Sequence, residues 1–574
     1  MQPRAARRLT IRGGTPWALM TALAALMAGA ALLGATLAPR TAPSAARSNV
    51  AATATSDAPV ALPSLPGPIG APSGLFLRDG SGRVVFLHGV NVVYKHWQYE
   101  VYPDPGKPWN FGVRDARRIA ALGFDVVRLG VIWAGLEPGG PGPNSPSICR
   151  AGNPINPHEL RRSVVDAYLH HLRQTIDLLA QYHIYTLLDM HQDVYSSVLG
   201  GEGAPRWAVC TNGTRPARPP GRWSRIYGTP AANIAYNHFW TNNVVGDLQG
   251  QYDSVWTRVA RFFRHDPWVL GFDPFNEPFS SAAFSNKKAS FDGMLECFYT
   301  GQAHADLMRT TRGVIGVRCP PGDPRTGVLP RLRRAAPRAL LFTEPALYAG
   351  RHSVSTLGPM PFRNLVFNVH IYCTDRNPRT GNPIDAATCA ADEARSLRRR
   401  LAQRRGMASR YQPDGPPMVV TEFGATSDAA VLRVTTGAFD RALVGWMYWD
   451  WKYYRDPTGS SQEALVKVTG RLRSTAAVLS QVYAEAVAGT PQAMSYDATR
   501  DTFTLRYRTW RQVRAPTLIV VPTGVHYRHG YCAHVVGGRV RSAPGSSLLR
   551  VSNGAVRPHE VLVRLTPGSC SPAR

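Results

Sequence analysis

The stretch VDAYLHHLRQTIDLLAQYHIYTLLDM, residues 165–190, decides the fold because it joins two different periodicities. Its first part carries apolar side chains at spacings of 4, 3, 4 and 3, which is the pattern of a helix with one buried face. These side chains belong to Val165, Leu169, Leu172, Ile176 and Leu179. The apolar run from Ile184 to Met190 follows directly and predicts a buried strand. A helix that leads into a buried strand is the repeating unit of an α/β fold with a parallel sheet.

The same alternation continues in both directions along the chain. Short runs rich in β-branched and aromatic residues are separated by helical stretches. The predicted strands are Val84 to Val92, Phe124 to Gly130, Ile184 to Met190, Val269 to Phe275, Ala339 to Thr343, Leu365 to Tyr372, Met418 to Phe423 and Val444 to Trp449. This order predicts a (β/α)8 TIM barrel of the α/β class over residues 75–487. Because a minimal barrel needs only about 250 residues, long loops are expected, above all at 131–160, 192–246 and 278–300.

The last part of the chain, residues 490–574, has a different pattern. Thr502 to Tyr507, Thr517 to Val521 and Val561 to Leu565 are β-branched or alternating runs with turn residues between them. They show no helical period. Such runs predict a small C-terminal β-sandwich packed on the barrel.

The N-terminal part predicts export. Four arginines lie among residues 4–12, and Trp17 to Ala38 contains no charged residue. A basic segment before an apolar one is typical of a signal peptide, although this run is close to the roughly 20 residues that span a bilayer. Residues 1–38 are therefore predicted as a signal peptide or an anchor of a secreted or envelope-anchored protein. Residues 39–74, rich in Pro, Ala and Ser, are predicted as a flexible linker.

The composition is that of a globular and strongly basic protein. Of 574 residues, 44% are hydrophobic and 18% are charged, which argues against intrinsic disorder. The net charge is +28, yet the arginines are scattered and accompany no nucleic-acid-binding motif. We therefore expect no nucleic-acid partner. Attraction to anionic surfaces, including contact with a membrane surface, is the expected use of the charge.

Eight cysteines, an even number, fit the oxidising compartment that export implies. Eight cysteines allow 105 connectivities, so their number alone does not fix the pairing. Pairing of neighbours along the chain would give Cys149–Cys210, Cys297–Cys319, Cys373–Cys389 and Cys532–Cys570. No C-x-x-C spacing indicates zinc, and we expect neither a metal nor a cofactor.

Two glutamates at strand ends form the strongest functional signal. Glu277, in FDPFNEP (272–278), ends the fourth predicted strand, and Glu422, in VVTEFG (419–424), ends the seventh. The carboxyl ends of barrel strands point into one pocket. Two carboxylates about 5 to 5.5 Å apart are what retaining glycoside hydrolysis needs, since one protonates the leaving oxygen and the other attacks the anomeric carbon. The pair is far more specific than either member.

Other strand ends supply polar and aromatic side chains to the same pocket. They are Arg128 on the second strand, His191 after the third, His370 and Tyr372 on the sixth, and Trp449 on the eighth. A nearby positive charge lowers the pKa of a carboxyl group, so Arg128 is predicted to hold Glu422 ionised. Trp449 offers an indole ring on which a sugar can stack.

These residues resemble the pattern of glycoside hydrolase family 5. That family places an Arg on strand two, a His on strand three, Asn-Glu on strand four, His-x-Tyr on strand six, a Glu on strand seven and a Trp on strand eight. The matching positions are Arg128, His191, Asn276, Glu277, His370, Tyr372, Glu422 and Trp449. The resemblance implies that Glu277 is the acid/base, that Glu422 is the nucleophile and that Asn276 binds the sugar 2-hydroxyl.

Within family 5, three segments resemble the endoglycoceramidase branch. They are LHGVNVVYK (87–95), DMHQDVYS (189–196) and GFDPFNEP (271–278). The resemblance covers nearly all of residues 75–570, because that branch also carries a C-terminal β-sandwich. It implies a glycolipid substrate, with cleavage of the β-linkage between an oligosaccharide and ceramide, and it places Lys95, Asp193 and Trp449 in the sugar site. We expect a monomer.

Two other functions remain open on the sequence. A family relative would use the same two glutamates on steryl glucosides or β-glucans, and the long Pro/Arg-rich loop from Arg150 to Asn243 bears on this choice of substrate. A non-catalytic surface protein that binds glycolipid is expected to have lost one carboxylate. Both carboxylates are present.

Several neighbouring residues have non-catalytic interpretations. Glu344, after the fifth strand, lacks a preceding Asn and is expected to support the site rather than to react. Asp189 is expected to cap nearby backbone groups, and His88 is expected to pack. Apolar residues after Glu277 either line a channel for the aglycone or pack a helix on the barrel. They are Phe279, Phe284, Phe291, Leu295, Phe298 and Tyr299.

Overall fold

The computed structural model describes residues 62–65, 67–150, 162–242, 247–280, 288–301, 319, 327–347, 357–373, 385–554, 558–568 and 570. These residues belong to one compact unit. Within these ranges, no helix combines the length and the hydrophobicity that crossing a bilayer requires. The predicted signal peptide or anchor and residues 39–61 of the predicted linker lie outside the described residues.

The strands are numbered in chain order. They are β1 (Leu77–Arg78), β2 (Val84–Val85), β3 (His88–Val92), β4 (Val126–Val131), β5 (Tyr185–Met190), β6 (Val269–Asp273), β7 (Leu340–Thr343), β8 (Leu365–Ile371), β9 (Met418–Gly424), β10 (Gly445–Trp449), β11 (Tyr483–Val487), β12 (Gly489–Asp497), β13 (Thr502–Thr509), β14 (Thr517–Val520), β15 (Tyr531–Val536), β16 (Gly538–Val540), β17 (Leu548–Asn553) and β18 (Glu560–Pro567).

The α-helices follow the same numbering. They are α1 (Val113–Ala121), α2 (Trp133–Leu136), α3 (Pro146–Cys149), α4 (Arg162–Ala180), α5 (Pro230–Thr241), α6 (Leu248–Phe263), α7 (Lys288–Thr300), α8 (Val328–Ala335), α9 (Ala386–Gly406), α10 (Ala429–Ala442) and α11 (Thr475–Leu479). Short 3-10 helices span Arg206–Ala208 and Trp223–Gly228.

Strands β3 to β10 form a closed parallel barrel, which confirms the predicted fold. The barrel closes where β10 pairs with β3, with Trp446 opposite His88. Helix α4 confirms the periodicity of residues 165–179, since the predicted apolar face is buried. The barrel strands are mostly apolar, and all their residues except the partly buried Val269 are buried, because one face fills the barrel and the other packs against helices.

The predicted strand from Val84 to Val92 is wrong in one respect, because the run forms two strands. β2 pairs antiparallel with β1 and β11, whereas β3 joins the barrel. Between them, the Phe86 N–H donates to the carbonyl of Glu485 at 3.0 Å. A continuous β-branched run does not reveal that the chain changes sheets within it.

The C-terminal strands form two antiparallel sheets. One is four-stranded, in the order β12-β13-β18-β15, and the other is six-stranded, in the order β1-β2-β11-β14-β17-β16. The second sheet takes in residues 77–78, 84–85 and 483–487, so the predicted division into a barrel at 75–487 and a sandwich at 490–574 is wrong at both edges of the barrel segment. The sheet takes in these segments because β2 pairs through backbone hydrogen bonds with β11, far away in the sequence.

The end of the predicted linker is packed rather than flexible. Leu62, Leu65, Ile69 and Ala71 are buried. The Nδ1 of His183 donates to the carbonyl of Leu62 at 2.6 Å. Apolar side chains spaced among the prolines give this segment enough surface to pack, which the overall Pro, Ala and Ser content concealed.

All four disulfides that neighbour pairing gives are present: Cys149–Cys210, Cys297–Cys319, Cys373–Cys389 and Cys532–Cys570. The first bond joins the loops that follow β4 and β5, and the third joins the end of β8 to α9. A further long loop, residues 450–474 after β10, was not among those singled out from the sequence. It also reaches the carboxyl end of the barrel.

Candidate active site

The predicted site residues meet at the carboxyl end of the barrel. Parallel strands end on the same side, so side chains at or just after those ends converge. Arg128 lies on β4, His370 on β8, Glu422 on β9 and Trp449 on β10, while the other six follow β3, β5, β6 or β8 directly. The structure links all ten into one network of contacts.

Glu277 and Glu422 face each other across the opening of the barrel. A carboxylate oxygen of each, together with a ring nitrogen of His370, lies within 4.8 Å of the others. This spacing leaves room for a single reacting centre between the two carboxyl groups and is that of a retaining pair. Glu422 is buried, and Glu277 is more open, with a side chain 13% exposed.

Arg128 is the fully buried cation beneath this pair. Its Nη1 donates to Oε1 of Glu422 at 2.5 Å, and its Nη2 lies 2.8 Å from carboxylate oxygens of Asp189 and Asp273. Burial opposes its charge, but these carboxylates raise the pKa of Arg128 well above its ordinary value. The guanidinium therefore stays charged and fixes the Glu422 carboxylate.

His370 and Tyr372 contact the glutamates from β8. Nδ1 of His370 lies 2.9 Å from Oε1 of Glu277 and 3.3 Å from Oε2 of Glu422. Burial lowers the pKa of His370 to about 3, although the charge of Glu422 opposes this. The imidazole is therefore neutral and has one N–H to offer. The Tyr372 hydroxyl donates to Oε2 of Glu422 at 2.8 Å.

Burial raises the pKa of both glutamates. The pKa of Glu277 rises to about 8, with the charge of Asp193 adding to the effect of burial. Burial raises the pKa of Glu422 only to about 7, because His370 and Arg128 lower it and so offset part of the effect of burial. The predicted effect of Arg128 on Glu422 is present but smaller than that of burial. Glu422 therefore loses its proton first, and Glu277 retains one.

Asn276 is held between Arg128 and a residue that the sequence analysis did not single out. Its Oδ1 accepts from Nη2 of Arg128 at 2.9 Å, and its Nδ2 donates to the carbonyl of Gln192 at 3.0 Å. The Gln192 side chain donates in turn to the carbonyls of Asn276 and Glu277, at 2.9 and 3.2 Å. Gln192 thus fixes the turn that presents both residues.

Lys95, Asp193 and Trp449 form one wall of the site. The Nζ of Lys95 donates to Oδ2 of Asp193 at 2.5 Å and lies 4.5 Å from the centre of the Trp449 ring. Burial would lower the pKa of Lys95, but the charges of Asp193 and Glu202 raise it well above its ordinary value. Ring stacking with His191, at 5.2 Å between centroids, holds Trp449.

Sequence analysis missed the loop residues that complete this wall. The Thr458 hydroxyl donates to Asp193 at 2.8 Å, Glu202 lies 3.6 Å from Lys95, and Glu463 accepts from the Trp449 indole at 3.2 Å. A signal existed for Glu202, which lies between glycines. A Cβ at Gly201 would stand 1.8 Å from the carbonyl oxygen of Asp193, so only glycine permits this approach.

Two clusters have the residue types of a metal site. One is His191, Asp193 and Glu202, and the other is Glu277, His370 and Glu422. In the first cluster the Lys95 ammonium already contacts both carboxylates, and in the second Arg128 contacts Glu422. A side-chain cation therefore takes the position of a metal ion in the first cluster, whereas in the second Arg128 holds one of the two carboxylates.

The residues with non-catalytic interpretations have mixed outcomes. His88 packs as predicted, stacked between the rings of Trp446 and Tyr483. The predicted backbone cap at Asp189 is wrong, since its carboxylate pairs with Arg128 and, at 2.8 Å, with Nδ1 of His191. No signal in the sequence indicated that Arg128 on β4 and His191 after β5 would both reach this carboxylate.

Most of the apolar residues after Glu277 pack a helix. Phe291, Leu295, Phe298 and Tyr299 lie on α7 and are buried. Phe279 precedes this helix and is partly buried against the ring of Tyr227, at 4.6 Å. Phe284 lies outside the described residues. The packing interpretation therefore holds for the α7 residues.

Comparisons with known proteins agree with this geometry. The family model described as cellulase (glycosyl hydrolase family 5) matches residues 114–311, and the one described as glycoside hydrolase family 5 C-terminal domain matches residues 482–565. The chain is 27% identical over 504 residues to endoglycoceramidase I of Rhodococcus hoagii (strain 103S), covering 86% of this chain and 88% of that protein. It is 24% identical over 478 residues to an endoglycoceramidase of Hydra vulgaris, covering 79% and 80%.

The solved structure of the lactosyl-enzyme intermediate of endo-glycoceramidase II from Rhodococcus sp. has the same fold. It superimposes with a TM-score of 0.63 and 22% identity, covering 86% of this chain and 100% of that chain.

Proposed function

Because the chain belongs to glycoside hydrolase family 5, we propose that it is a retaining endo-β-glycosidase that releases the glycan from the ceramide of glycosphingolipids. The facing carboxylates of Glu277 and Glu422 carry the proposal, because their spacing suits double displacement. The similarity to endoglycoceramidases over most of both chains supports ceramide as the aglycone.

The first step forms a glycosyl-enzyme ester. Ionised Glu422, held by Arg128 and Tyr372, attacks the anomeric carbon while protonated Glu277 gives its proton to the glycosidic oxygen. The bond to the aglycone breaks, and the aglycone leaves as a neutral alcohol. The raised pKa of Glu277, about 8, keeps its proton available at neutral pH.

The second step hydrolyses the ester. Glu277 is now a carboxylate and accepts a proton from water as the water oxygen attacks the anomeric carbon. The carbon–oxygen bond to Glu422 breaks, and both glutamates return to their starting protonation states. Asn276, His191, Lys95, Asp193 and Trp449 hold the sugar in this scheme.

Product analysis tests the proposal. Purified protein is incubated with glycosphingolipids, steryl glucosides and β-glucans, and the products are identified by mass spectrometry. We expect intact oligosaccharide and free ceramide from the wild type and neither product from Glu422→Gln. Glu485→Gln, a buried substitution on β11 away from the site, is the matched control and should give both products. Turnover of only steryl glucosides or glucans would retain the chemistry and refute the ceramide aglycone.

We also propose that the rim of the opening contacts the lipid surface that carries the substrate. Trp97, in the loop after β3, is 63% exposed. Its ring lies 6.1 Å from that of Tyr99, which packs in the same apolar cluster as Trp449. Arg455, exposed in the loop after β10, lies near this part of the rim, since its backbone carbonyl accepts from the ring of His96, the residue before Trp97, at 3.0 Å. A Trp next to a basic residue suits the boundary between lipid headgroups and water.

Vesicles test this contact. We expect Trp97→Ala to reduce co-sedimentation with phosphatidylglycerol-containing vesicles and to slow hydrolysis of embedded glycolipid more than that of a soluble lactoside. Val540→Ala, an exposed substitution on the C-terminal sheet, is the control. Equal slowing on both substrates would contradict lipid contact.

Export and a monomeric state are part of the same proposal. The four disulfides support an oxidising compartment outside the cytosol. Fractionation of the producing cells tests export, and light scattering of the purified protein tests the monomer. Recovery in the cytosolic fraction or a dimer mass would refute the respective statement.

A further inference from the structure

Glu344 occupies a place in the site that neither proposed step uses. It follows β7 directly and is buried. Both backbone polar groups of Glu344 bind the hydroxyl of Tyr299 on α7. This hydroxyl donates to the Glu344 carbonyl at 2.9 Å and accepts from the Glu344 N–H at 3.1 Å. Pro345 further restricts the backbone of the residue before it. The backbone of Glu344 is therefore fixed independently of its side chain.

The side chain of Glu344 reaches Glu277 by two routes. Its Oε2 accepts from the N–H of Glu277 at 2.9 Å. Its Oε1 lies 3.3 Å from Nδ1 of His370, the same atom that lies 2.9 Å from Oε1 of Glu277. One carboxyl group thus contacts both the backbone of Glu277 and the imidazole that holds the Glu277 side chain.

The backbone of Glu277 requires such support. Its φ of +44° lies in the left-handed region, which residues with a Cβ adopt at a cost and keep only where surrounding contacts enforce it. A second tie joins the same two segments, since the Leu347 N–H donates to the carbonyl of Pro278 at 2.8 Å. The loop after β7 therefore holds the turn after β6.

We propose that Glu344 is a positioning residue for the acid/base, because its carboxyl group fixes the backbone and the side-chain direction of Glu277 toward the glycosidic oxygen. The proposal rests on the role proposed for Glu277 and is independent of the aglycone. Since Glu344 does not touch the reacting atoms, its removal should impair the proton transfers of Glu277 and spare the attack by Glu422.

The protonation of Glu344 fits this role. Burial raises its pKa well above the ordinary value, and the charges of Asp273 and Glu277 add to this while Arg128 opposes it. A neutral Glu344 accepts the Glu277 N–H without placing a second negative charge beside Glu277. An amide of the same size and shape is therefore expected to replace it.

Two substrates with the same sugar separate positioning from general damage. Dinitrophenyl β-lactoside has a leaving group that departs without protonation, whereas an alkyl β-lactoside needs the proton of Glu277. We expect Glu344→Leu to lower kcat/KM for the alkyl lactoside roughly 10- to 100-fold and for the dinitrophenyl lactoside less than about threefold. Because kcat/KM covers only the steps up to aglycone release, ester hydrolysis does not enter the comparison.

Two further variants keep the test informative. Glu344→Gln retains an oxygen for the Glu277 N–H and should stay within about threefold of the wild type on both substrates. Glu344→Asp withdraws the carboxyl group by one methylene and should show the selective loss even if Glu344→Leu does not fold. Glu485→Gln is the matched control, in which the ratio of the two kcat/KM values should not change.

Equal losses on both lactosides for Glu344→Leu and Glu344→Asp, or no loss, would overturn the positioning role. A loss in Glu344→Gln as selective as that in Glu344→Asp would also overturn it, since the amide keeps the hydrogen bond. A wild type that hydrolyses both lactosides but no glycosphingolipid would refute only the ceramide aglycone. A wild type inert to both lactosides would refute both proposals.

Discussion

The two ends of the barrel both bury ionisable side chains, yet only the carboxyl end has the features of an active site. There Glu422 lies beside Arg128, Glu277 beside His370 and Asp193 beside Lys95. Burial outweighs the nearby positive charge at the two glutamates, so the pKa of Glu277 rises to about 8 and that of Glu422 to about 7. The site also opens to solvent through Glu277.

The amino end buries acids in a different setting. The carboxylate of Asp125 accepts from the N–H of His88 at 2.9 Å, and Asp440 lies 4.0 Å from the His88 ring. Burial raises the pKa of Asp125 and of Asp440 to about 8 and lowers that of His88 well below its ordinary value. All three are neutral at pH 7 and packed under the C-terminal sheet. Shifted pKa values alone therefore do not mark an active site, which also needs a second charge of opposite sign and an opening.

Removing the nucleophile should give the largest difference between the two ends. Glu422→Gln is expected to lower kcat on an aryl β-lactoside about 10⁴-fold or more, because no group replaces the attacking carboxylate. Asp440→Asn at the amino end should change kcat by less than about threefold, since it resembles the neutral acid already present. Steady-state kinetics on the purified variants measure both. A comparable loss of kcat in Asp440→Asn would contradict the assignment of the active site to the carboxyl end alone.

Removing the central cation should destabilise the carboxyl end. Arg128→Met leaves buried carboxylates without their partner and should reduce the free energy of unfolding by about 3 to 5 kcal/mol. His88→Phe keeps the stacked ring and removes two nitrogens that have no hydrogen-bond partner among the described residues, so a change below about 1 kcal/mol is expected. Denaturant titration measures both. Equal effects would show that the charges do not distinguish the ends.

The pH dependence of kcat/KM directly tests how burial and nearby charges together set the pKa values of the two glutamates at the carboxyl end. Activity requires ionised Glu422 and protonated Glu277, so it should fall below pH about 7, where Glu422 gains a proton, and above about 8, where Glu277 loses one. Each limb should approach tenfold per pH unit. Glu277→Gln, assayed with dinitrophenyl lactoside, should lose the alkaline limb only. Limbs near pH 4 and 5 would refute the effect of burial.

Stability against pH tests the amino end and should show the smallest effect. Asp440 keeps its proton in the folded protein up to about pH 8, while in the unfolded chain it ionises near its ordinary value of 3.8. The folded state therefore binds more protons between these values, and stability falls as pH rises through them. Asp440→Asn should flatten this decline and raise Tm at pH 8 by roughly 2 to 4 °C. Calorimetry from pH 5 to 9 checks this, and parallel curves for both proteins would contradict it.

The barrel and its reactive pair were predictable because both depend on local signals. Strands buried on both faces are continuous apolar runs, and Glu277 and Glu422 end two such runs. The switch of sheets at Phe86 and the packing of residues 62–71 depend on partners hundreds of residues away, which no local pattern encodes. The same holds for Thr458, whose partner Asp193 is equally distant in the sequence and whose loop showed no motif.

Charge compensation was only partly predictable. The sequence indicated that Arg128 would lie near Glu422, but not that Asp189 and Asp273 would share its charge or that burial would outweigh it at Glu422. Spacing along a strand gives the direction of a side chain and not the amount of water around it. Protonation states therefore required the three-dimensional structure.

The position of residues 62–71 has a practical consequence for handling the protein. Leu62 is hydrogen-bonded to His183, which lies just before β5, and Ala71 is hydrogen-bonded to Asn364, which lies just before β8. The polypeptide therefore enters the fold on the face opposite the opening. A bead or sensor chip coupled through an extension upstream of residue 62 would hold the molecule by its base. The immobilised layer would then present its openings outward, accessible to vesicles or micelles flowing past.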